Sequence, residues 1–473
     1  MDIESIEITS NDLLLINSQH AWHYRAIPKY IENGIVFFTD NNDRLMQEEL
    51  GFILGKELDF RIVETDKINK YLHLLYPRSE EKNRARVRVY EGSSEHFLTN
   101  LISEAKDLKS SDIHLEVYED RCRVRIRIDG QMVERYKLEK RDYPSIINKI
   151  KIGAGLDIAE KRLPQDGRIN YTEDSDRFDI RVSILPTLHG EKIVLRLLNN
   201  DATDIDIRKV GFTDNELDVY LESVSRPNGM VLISGPTGSG KTTTLYATLK
   251  LLNKETRNIL TIEDPIEYTL EGINQVQLKE SIGLTFPVAL RTFLRQDPDI
   301  IMVGEVRDMD TASMAIRASL TGHLVLSTIH TNSAWGTVSR LIDMGVPSFL
   351  LANTLNATVA QRLIRTLCPR CKQRKQFSND LYPRSFKPFH TVNEHFIAVG
   401  CEACFYTGYK GRRAIYEVIP IDSDLSNKIK THAFDVSNEL VERNIKTLAE
   451  NAFSIFMAGE TTIEEIYPLL FNY

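Results

Sequence analysis

Residues 230–246 read MVLISGPTGSGKTTTLY. The apolar run Val231-Leu232-Ile233 reads as a buried strand, Gly235 to Gly240 is too glycine-rich for regular structure, and the chain from Thr242 onward reads as a helix. The spacing Gly235-x4-Gly240-Lys241-Thr242 in a strand–loop–helix context is that of a phosphate-binding loop. Its glycines let successive backbone N–H groups point into one anion-sized hollow, and the following helix N-terminus adds about half a positive charge. The expected nucleotide contacts are Gly235, Pro236, Thr237, Gly238, Ser239, Gly240, Lys241, Thr242 and Thr243. Lys241 would reach the β- and γ-phosphates, and the Thr242 hydroxyl would ligate Mg²⁺. The ordinary alternative is a Gly/Ser turn that happens to precede a lysine.

Working outward on the C-terminal side, apolar runs alternate with helical periods: Met230–Ser234, Asn258–Ile262, Asp299–Val303 and Leu324–Ser327. Continuous hydrophobicity means that both faces of each strand are covered, as in a parallel sheet flanked by helices, so the fold class is α/β. Functional groups then belong at the carboxyl ends of the strands. The second run is followed by Glu263-Asp264-Pro265-Ile266-Glu267, the third by Gly304-Glu305 with Arg307 close behind, and the fourth by Thr328-Ile329-His330. A Mg²⁺-nucleotide site needs an acid for the metal's water shell, an acid for the attacking water and a group that senses the γ-phosphate. Glu267, Glu305 and His330 fit those needs, against the alternative of solvated side chains; His323 reads as structural or as a secondary phosphate contact.

On the N-terminal side the period changes to two. In Arg121-Cys122-Arg123-Val124-Arg125-Ile126-Arg127-Ile128 the arginines share one face and the apolar residues the other, and Asp129-Gly130 is a hairpin dipeptide. The arginine row reads either as an outer face paired with Asp112 and Glu116 or as a contact with a neighbouring subunit; Cys122 falls on the apolar face and reads as inert. A helix over 143–154, a turn at Pro164-Gln165-Asp166-Gly167 and strands over 178–184 and 192–198 complete a mixed domain. Ahead of it lies a small α/β segment with strands at 34–38 and 59–63 and helices at 43–54 and 66–75, followed by a charge-dense linker at 80–88.

At 473 residues the chain suggests about two to four domains. Its net charge of −8 argues against a protein whose main task is neutralising phosphate backbones, so no nucleic-acid partner is expected. No apolar run of 18 residues and no basic-then-apolar leader is visible, which leads to the expectation of a cytoplasmic protein that reaches membranes through partners. Cys368-x-x-Cys371 and Cys401-x-x-Cys404, separated by 29 residues, offer four thiolates that can close a tetrahedron around Zn²⁺. The remainder beyond Tyr416 reads as helical, with Gly459 as a stop and Thr461-x-x-Glu464 as a capping box.

The segments GPTGSGKTTTLY, TIEDPIEY, LRQDPDIIMVGEVRD and ASLTGHLVLSTIHTNSA resemble the four nucleotide-site motifs of the type II secretion and type IV pilus assembly ATPases. The resemblance covers Ser111 to about Val418 and implies a RecA-like P-loop ATPase domain preceded by a PAS-like α+β domain, with a zinc-binding insert and small N-terminal and helical C-terminal domains. The expected boundaries are 1–80 for docking, 81–200 for the arginine-bearing domain, 201–210 for a linker, 211–367 for the ATPase core, 368–410 for the tetracysteine module and 411–473 for the helical region. By resemblance Glu267 is the general base, Glu305 the Walker B acid, His330 the histidine-box residue, and Arg181 and Arg196 the arginines that close on the nucleotide; Arg295 and Arg307 are further candidates. It further implies an ATP-hydrolysing homo-hexamer acting through an inner-membrane platform protein, recruited by a membrane-anchored docking protein at its N-terminal domain. The tetracysteine insert and the N-terminal domain favour secretion or pilus extension over retraction. A nucleic-acid translocase with the same core is the alternative. The sequence departs from the family at Asn451-Ala452 and at Tyr406, where a glycine is frequent.

Overall fold

The computed structural model describes residues 8, 12, 15–16, 18–31, 34–54, 58–76, 88–89, 94–173, 176–198, 205–433 and 435–471. The N-terminal unit is a three-stranded sheet, β1 (Ala26–Ile31), β2 (Gly34–Thr39) and β3 (Asp59–Ile62), β2 pairing antiparallel with β1 and parallel with β3. Helices Arg44–Leu54 and Thr65–Leu75 bury Leu50, Ile68 and Leu72 against Phe37 and Phe38. The four expected elements are present, and β1 is an addition. Of the expected linker, residues 80–87 lie outside the described residues.

The second domain is a seven-stranded sheet in the order β4-β7-β6-β5-β10-β9-β8. Its strands are β4 (Arg88–Val89), β5 (Asp112–Val117), β6 (Cys122–Ile128), β7 (Gln131–Leu138), β8 (Gln165–Glu173), β9 (Asp176–Thr187) and β10 (Gly190–Leu198). The period-two pattern puts Cys122, Val124 and Ile126 in a core shared with Phe97 and Leu101 of helix Ser94–Asp107 and Ile146 and Ile150 of helix Tyr143–Gly153. Asp129 and Gly130 both take positive φ (49° and 83°), as the tight turn between β6 and β7 requires. On the outer face Glu116 accepts from Arg123 (2.8 Å) and Arg125 (2.6 Å), while Arg127 pairs with Asp112 (3.3 Å). Burial pushes the Glu116 carboxyl up, but the two guanidinium groups outweigh it and hold it at about 2. The arginine row is therefore the paired outer face.

One expectation fails here. Gln165, Asp166 and Gly167 form no turn but open β8, pairing with Ile184, Ser183 and Val182 of β9. Gly167 is needed for close approach: a Cβ there would stand 2.8 Å from the Ala154 carbonyl oxygen.

The third unit is built on a seven-stranded sheet in the order β13-β12-β14-β15-β11-β16-β19. Its strands are β11 (Gly229–Ser234), β12 (Ile259–Glu263), β13 (Asn274–Gln277), β14 (Ile300–Val303), β15 (Leu324–Ile329), β16 (Leu355–Leu367) and β19 (Tyr409–Pro420). All neighbours are parallel except β16 and β19. Alternate residues of each central strand enter opposite cores. Leu232, Leu260, Ile262, Ile301, Val303 and Val325 face one helical layer; Val231, Ile233, Ile259, Ile300, Met302 and Leu326 face the other, with Leu245 and Leu249 of the phosphate-loop helix Lys241–Leu252. Fully burying each such side chain contributes roughly 1.5–3 kcal/mol, so this double coverage holds the strands in register.

Strands β16 and β19 are elements that the hydrophobic pattern did not announce, because their buried positions include polar residues with individual partners. Asn356 donates to the Ser223 and Asn228 carbonyls, and Gln361 and Tyr416 both meet the Thr244 hydroxyl on the phosphate-loop helix (2.9 and 3.1 Å). Because β19 belongs to the ATPase sheet, the helical region starts after Pro420 rather than at 411, with helices Ser423–Lys430, Ser437–Glu442, Leu448–Met457 and Ile463–Phe471. Gly459 (φ 68°) follows the end of helix Leu448–Met457 as expected. The capping residue of the last helix is Thr462, which accepts from the Glu465 N–H (3.3 Å); Thr461 instead donates to the Arg365 carbonyl (2.8 Å). Between β16 and β19 lies a two-stranded ribbon, β17 (Gln373–Gln376) and β18 (Glu394–Ile397).

Candidate nucleotide site and metal centre

Strands β12, β14, β15 and β11 are consecutive neighbours, so the four loops at their carboxyl ends meet along one edge. They line a cleft of about 600 Å³ with Thr237 to Thr243, Asp264, Glu267, Glu305, Arg307 and His330 on its walls. Two of the loop's glycines are conformationally required. Gly235 (φ 151°) would place a Cβ 2.5 Å from the Gln361 carbonyl oxygen, and Gly240 (φ 89°) would place one 2.9 Å from the Gln361 amide nitrogen. Lys241, the first residue of the helix, is buried, and its ammonium donates to the Gly235 (2.8 Å) and Pro236 (3.0 Å) carbonyls. Burial lowers its pKa, while the nearby Glu305 charge opposes that shift. Thr242 is exposed to the cleft.

Glu305 is a junction of charge: it pairs with Arg307, and its other oxygen lies 3.4 Å from His330 Nε2. Arg307 also reaches Asp264 (3.6 Å). Among the three carboxylates at the end of β12, Glu263, its last residue, differs from Asp264 and Glu267. It is buried and saturated, accepting from Tyr246, from Thr261 (2.6 Å) and from Gln275 (3.1 Å). Glu267 is left half-exposed at the cleft wall, with Arg181 of the second domain 3.8 Å away.

Arg181 and Arg196 lie directly opposite one another on β9 and β10. Arg181 crosses between domains and donates to the Ile266 carbonyl (3.2 Å), beside Glu267. Arg196 stays with its own sheet, donating to Asp112 (2.9 Å), which also accepts from Ser111 and faces Arg127. The structure thus brings Arg181 to the acid loop and leaves Arg196 on Asp112. Arg295 bonds back to the preceding helix, Phe286–Phe293, at the Arg291 carbonyl (3.1 Å) and is not on the cleft wall. His323 sits at the opposite end of β15, bonded to the Ala318 carbonyl (2.9 Å), and is structural. Tyr246, Gln275 and Ser111 were not singled out by sequence, since a tyrosine inside a helical run and a glutamine on an edge strand carry no motif of their own.

The 29 residues between the two Cys-x-x-Cys pairs fold through the β17–β18 ribbon and bring the pairs together, all four sulfurs within 4.8 Å of one another. The closest separations are 3.7 Å (Cys371–Cys404), 3.8 Å (Cys401–Cys404) and 3.9 Å (Cys368–Cys401). A tetrahedron with Zn–S of about 2.3 Å has edges of about 3.8 Å, whereas a disulfide needs ~2.0 Å. Backbone N–H groups of Cys401 and Gly408 point at Cys404 Sγ (3.2 and 3.3 Å), as suits a thiolate. These residues could hold a zinc ion with no open position.

A parallel sheet with a phosphate loop, paired acids and a histidine at one edge defines a P-loop ATPase. Residues 89–468 match the family described as type II/IV secretion system protein, and residues 1–82 match the MshEN domain. The chain belongs to the type II/IV secretion family and is an ATP-hydrolysing motor of secretion or pilus assembly. It is 47% identical over 380 residues to the type IV pilus assembly ATPase PilB of Myxococcus xanthus, covering 78% of this chain and 66% of that one. It is 44% identical over 380 residues to type II secretion system protein E of Pseudomonas aeruginosa, covering 78% and 74%. Among solved structures, the pilus retraction motor PilT with bound ADP aligns with a TM-score of 0.53 at 26% identity, covering 78% of this chain and 95% of that one. No helix among the described residues is long and apolar enough to cross a membrane.

Proposed function

We propose that this chain powers the extrusion of pilin-like subunits, in secretion or pilus extension, as a homo-hexamer acting on an inner-membrane platform protein. The observation that carries the reading is the convergence of Lys241, Glu267, Glu305 and His330 on one cleft, with Arg181 arriving from a separate domain. Lys241 and the loop N–H groups hold the ATP phosphates, and Thr242 with Glu305 would hold Mg²⁺ and its water. Glu267 takes a proton from water as its oxygen attacks the γ-phosphorus, the bond to the bridging oxygen breaks, and ADP leaves with that electron pair. His330, held by Glu305, senses the γ-phosphate. Arg181 supplies positive charge where the transition state develops negative charge, and Arg196 joins it on closure. Because arginine and base belong to different domains, each turnover is coupled to their relative motion. The zinc module and the N-terminal domain support extension or secretion over retraction, with the N-terminal domain docking to a membrane-anchored partner.

The test is ATP turnover of the purified chain and its Glu267→Gln form, with oligomer size followed by light scattering. The expected outcome is a loss of roughly 10²–10⁴-fold in turnover with nucleotide binding retained, and hexamers promoted by nucleotide. A mutant that keeps its rate removes Glu267 from the role; turnover raised only by nucleic acid would favour a translocase.

A further inference from the structure

Tyr246 lies on the same helix as Lys241, five positions further on, and is completely buried. Its hydroxyl donates to one oxygen of Glu263 and accepts the backbone N–H of Glu267 (3.2 Å). A phenol has one proton, so both contacts are made together only by the neutral form. Burial beside the Glu263 charge pushes the pKa of Tyr246 far above its ordinary value, which keeps that proton in place. The period-two pattern of β12 turns Thr261 and Glu263 toward the phosphate-loop helix, and Thr261 and Gln275 occupy the other Glu263 oxygen. Gln275 in turn donates to the Tyr268 carbonyl (2.9 Å) and accepts from the Leu270 N–H (2.7 Å), pinning the far side of the acid loop. The Tyr268 ring packs edge-on against Tyr246, with centroids 5.5 Å apart.

We propose that Tyr246 is a positioning residue that locks the backbone of Glu267 in register with the helix carrying Lys241, so that phosphate and attacking water are held by one rigid frame. The inference rests on the assignment of Glu267 as the base. A displacement of about 1 Å in such a group costs on the order of 100-fold in rate.

Tyr246→Phe keeps the ring and removes only the hydroxyl, but it also strands a buried carboxylate on Glu263. The double variant Tyr246→Phe/Glu263→Gln removes that charge and keeps an oxygen for Thr261 and Gln275, while the Glu267 N–H still has no acceptor. Turnover, KM for ATP and Tm are measured for both, beside Glu267→Gln. Tyr246→Phe is expected to lose both Tm and turnover. The double variant is expected to regain most of the Tm while kcat stays at least roughly tenfold below wild type, with KM for ATP within about twofold. If kcat returns together with Tm, or if Tyr246→Phe turns over normally, the hydroxyl is only structural and the proposal falls. If Glu267→Gln itself keeps its rate, the base assignment fails instead.

Discussion

Arg181 shows how one guanidinium can belong to two domains. It is fixed on β9 by the sheet register, yet its polar contacts are the Ile266 carbonyl and Glu267 across the gap. An arginine supplied at the moment of phosphoryl transfer is worth roughly 10³–10⁵ in rate, so Arg181→Ala should cut turnover by at least about a thousandfold with nucleotide affinity retained. Arg295→Ala should leave turnover within about a factor of two, because among the described residues that guanidinium bonds the Arg291 carbonyl of the preceding helix and no residue of the cleft. Steady-state kinetics on the two variants check both statements. At this scale Lys241, Glu267, Glu305 and His330 were legible because strand ends and a glycine-rich loop locate them. What takes Glu263 out of the cleft was not legible: its partners Tyr246, Thr261 and Gln275 come from three different elements.

The tetracysteine ribbon is the element whose sequence spacing carried furthest, since two Cys-x-x-Cys pairs supply the four soft ligands of a tetrahedral site. Its second turn holds Phe405 and Tyr406 at φ 48° and 58°, and Gly400 beside it could not carry a Cβ, which would lie 2.4 Å from the Tyr406 carbonyl oxygen. That left-handed conformation favours glycine, so a tyrosine at 406 depends on the surrounding fold of the cysteine cluster to enforce it. Cys401→Ser, or chelation of the wild-type protein, should therefore remove about one zinc per chain and lower Tm, with metal content read by atomic absorption; unchanged Tm with the metal gone would show that the ribbon stands without it. By contrast, β16 was illegible as an element. Its buried Asn356, Thr358 and Gln361 break the apolar run that marks the other central strands.

In the whole molecule the hairpin tip of the second domain rests on the far end of the ATPase sheet. Asp129 accepts from the Gly411 N–H (2.7 Å), and Gln131 accepts from Arg365 (2.6 Å), which also pairs with Glu465 and lies over the Tyr409 ring. Arg135 stacks over Phe405 of the cysteine module at 4.9 Å, so that module also touches the domain that carries Arg181. A hydrogen bond to a charged group is worth roughly 1.5–3 kcal/mol, so Asp129→Ala should speed amide exchange at Gly411 about tenfold or more while amides of β11 keep their protection. Unchanged exchange at Gly411 would mean that the tip contact contributes little to holding the domains.

The local chemistry of this protein was written in its order of residues: a phosphate loop between strand and helix, acids and a histidine after apolar runs, a hairpin at Asp129-Gly130, and two pairs of cysteines. Those features depend on neighbours along the chain, where spacing and backbone preference decide. The strand order that makes four loops adjacent, the strand rather than turn at Gln165, the place of β19 in the ATPase sheet, and the choice of Arg181 over Arg196 to meet Glu267 were decided only by tertiary structure. Each of these depends on partners tens to hundreds of residues away, whose packing and hydrogen bonds outweigh local preference and leave no periodic trace in the sequence.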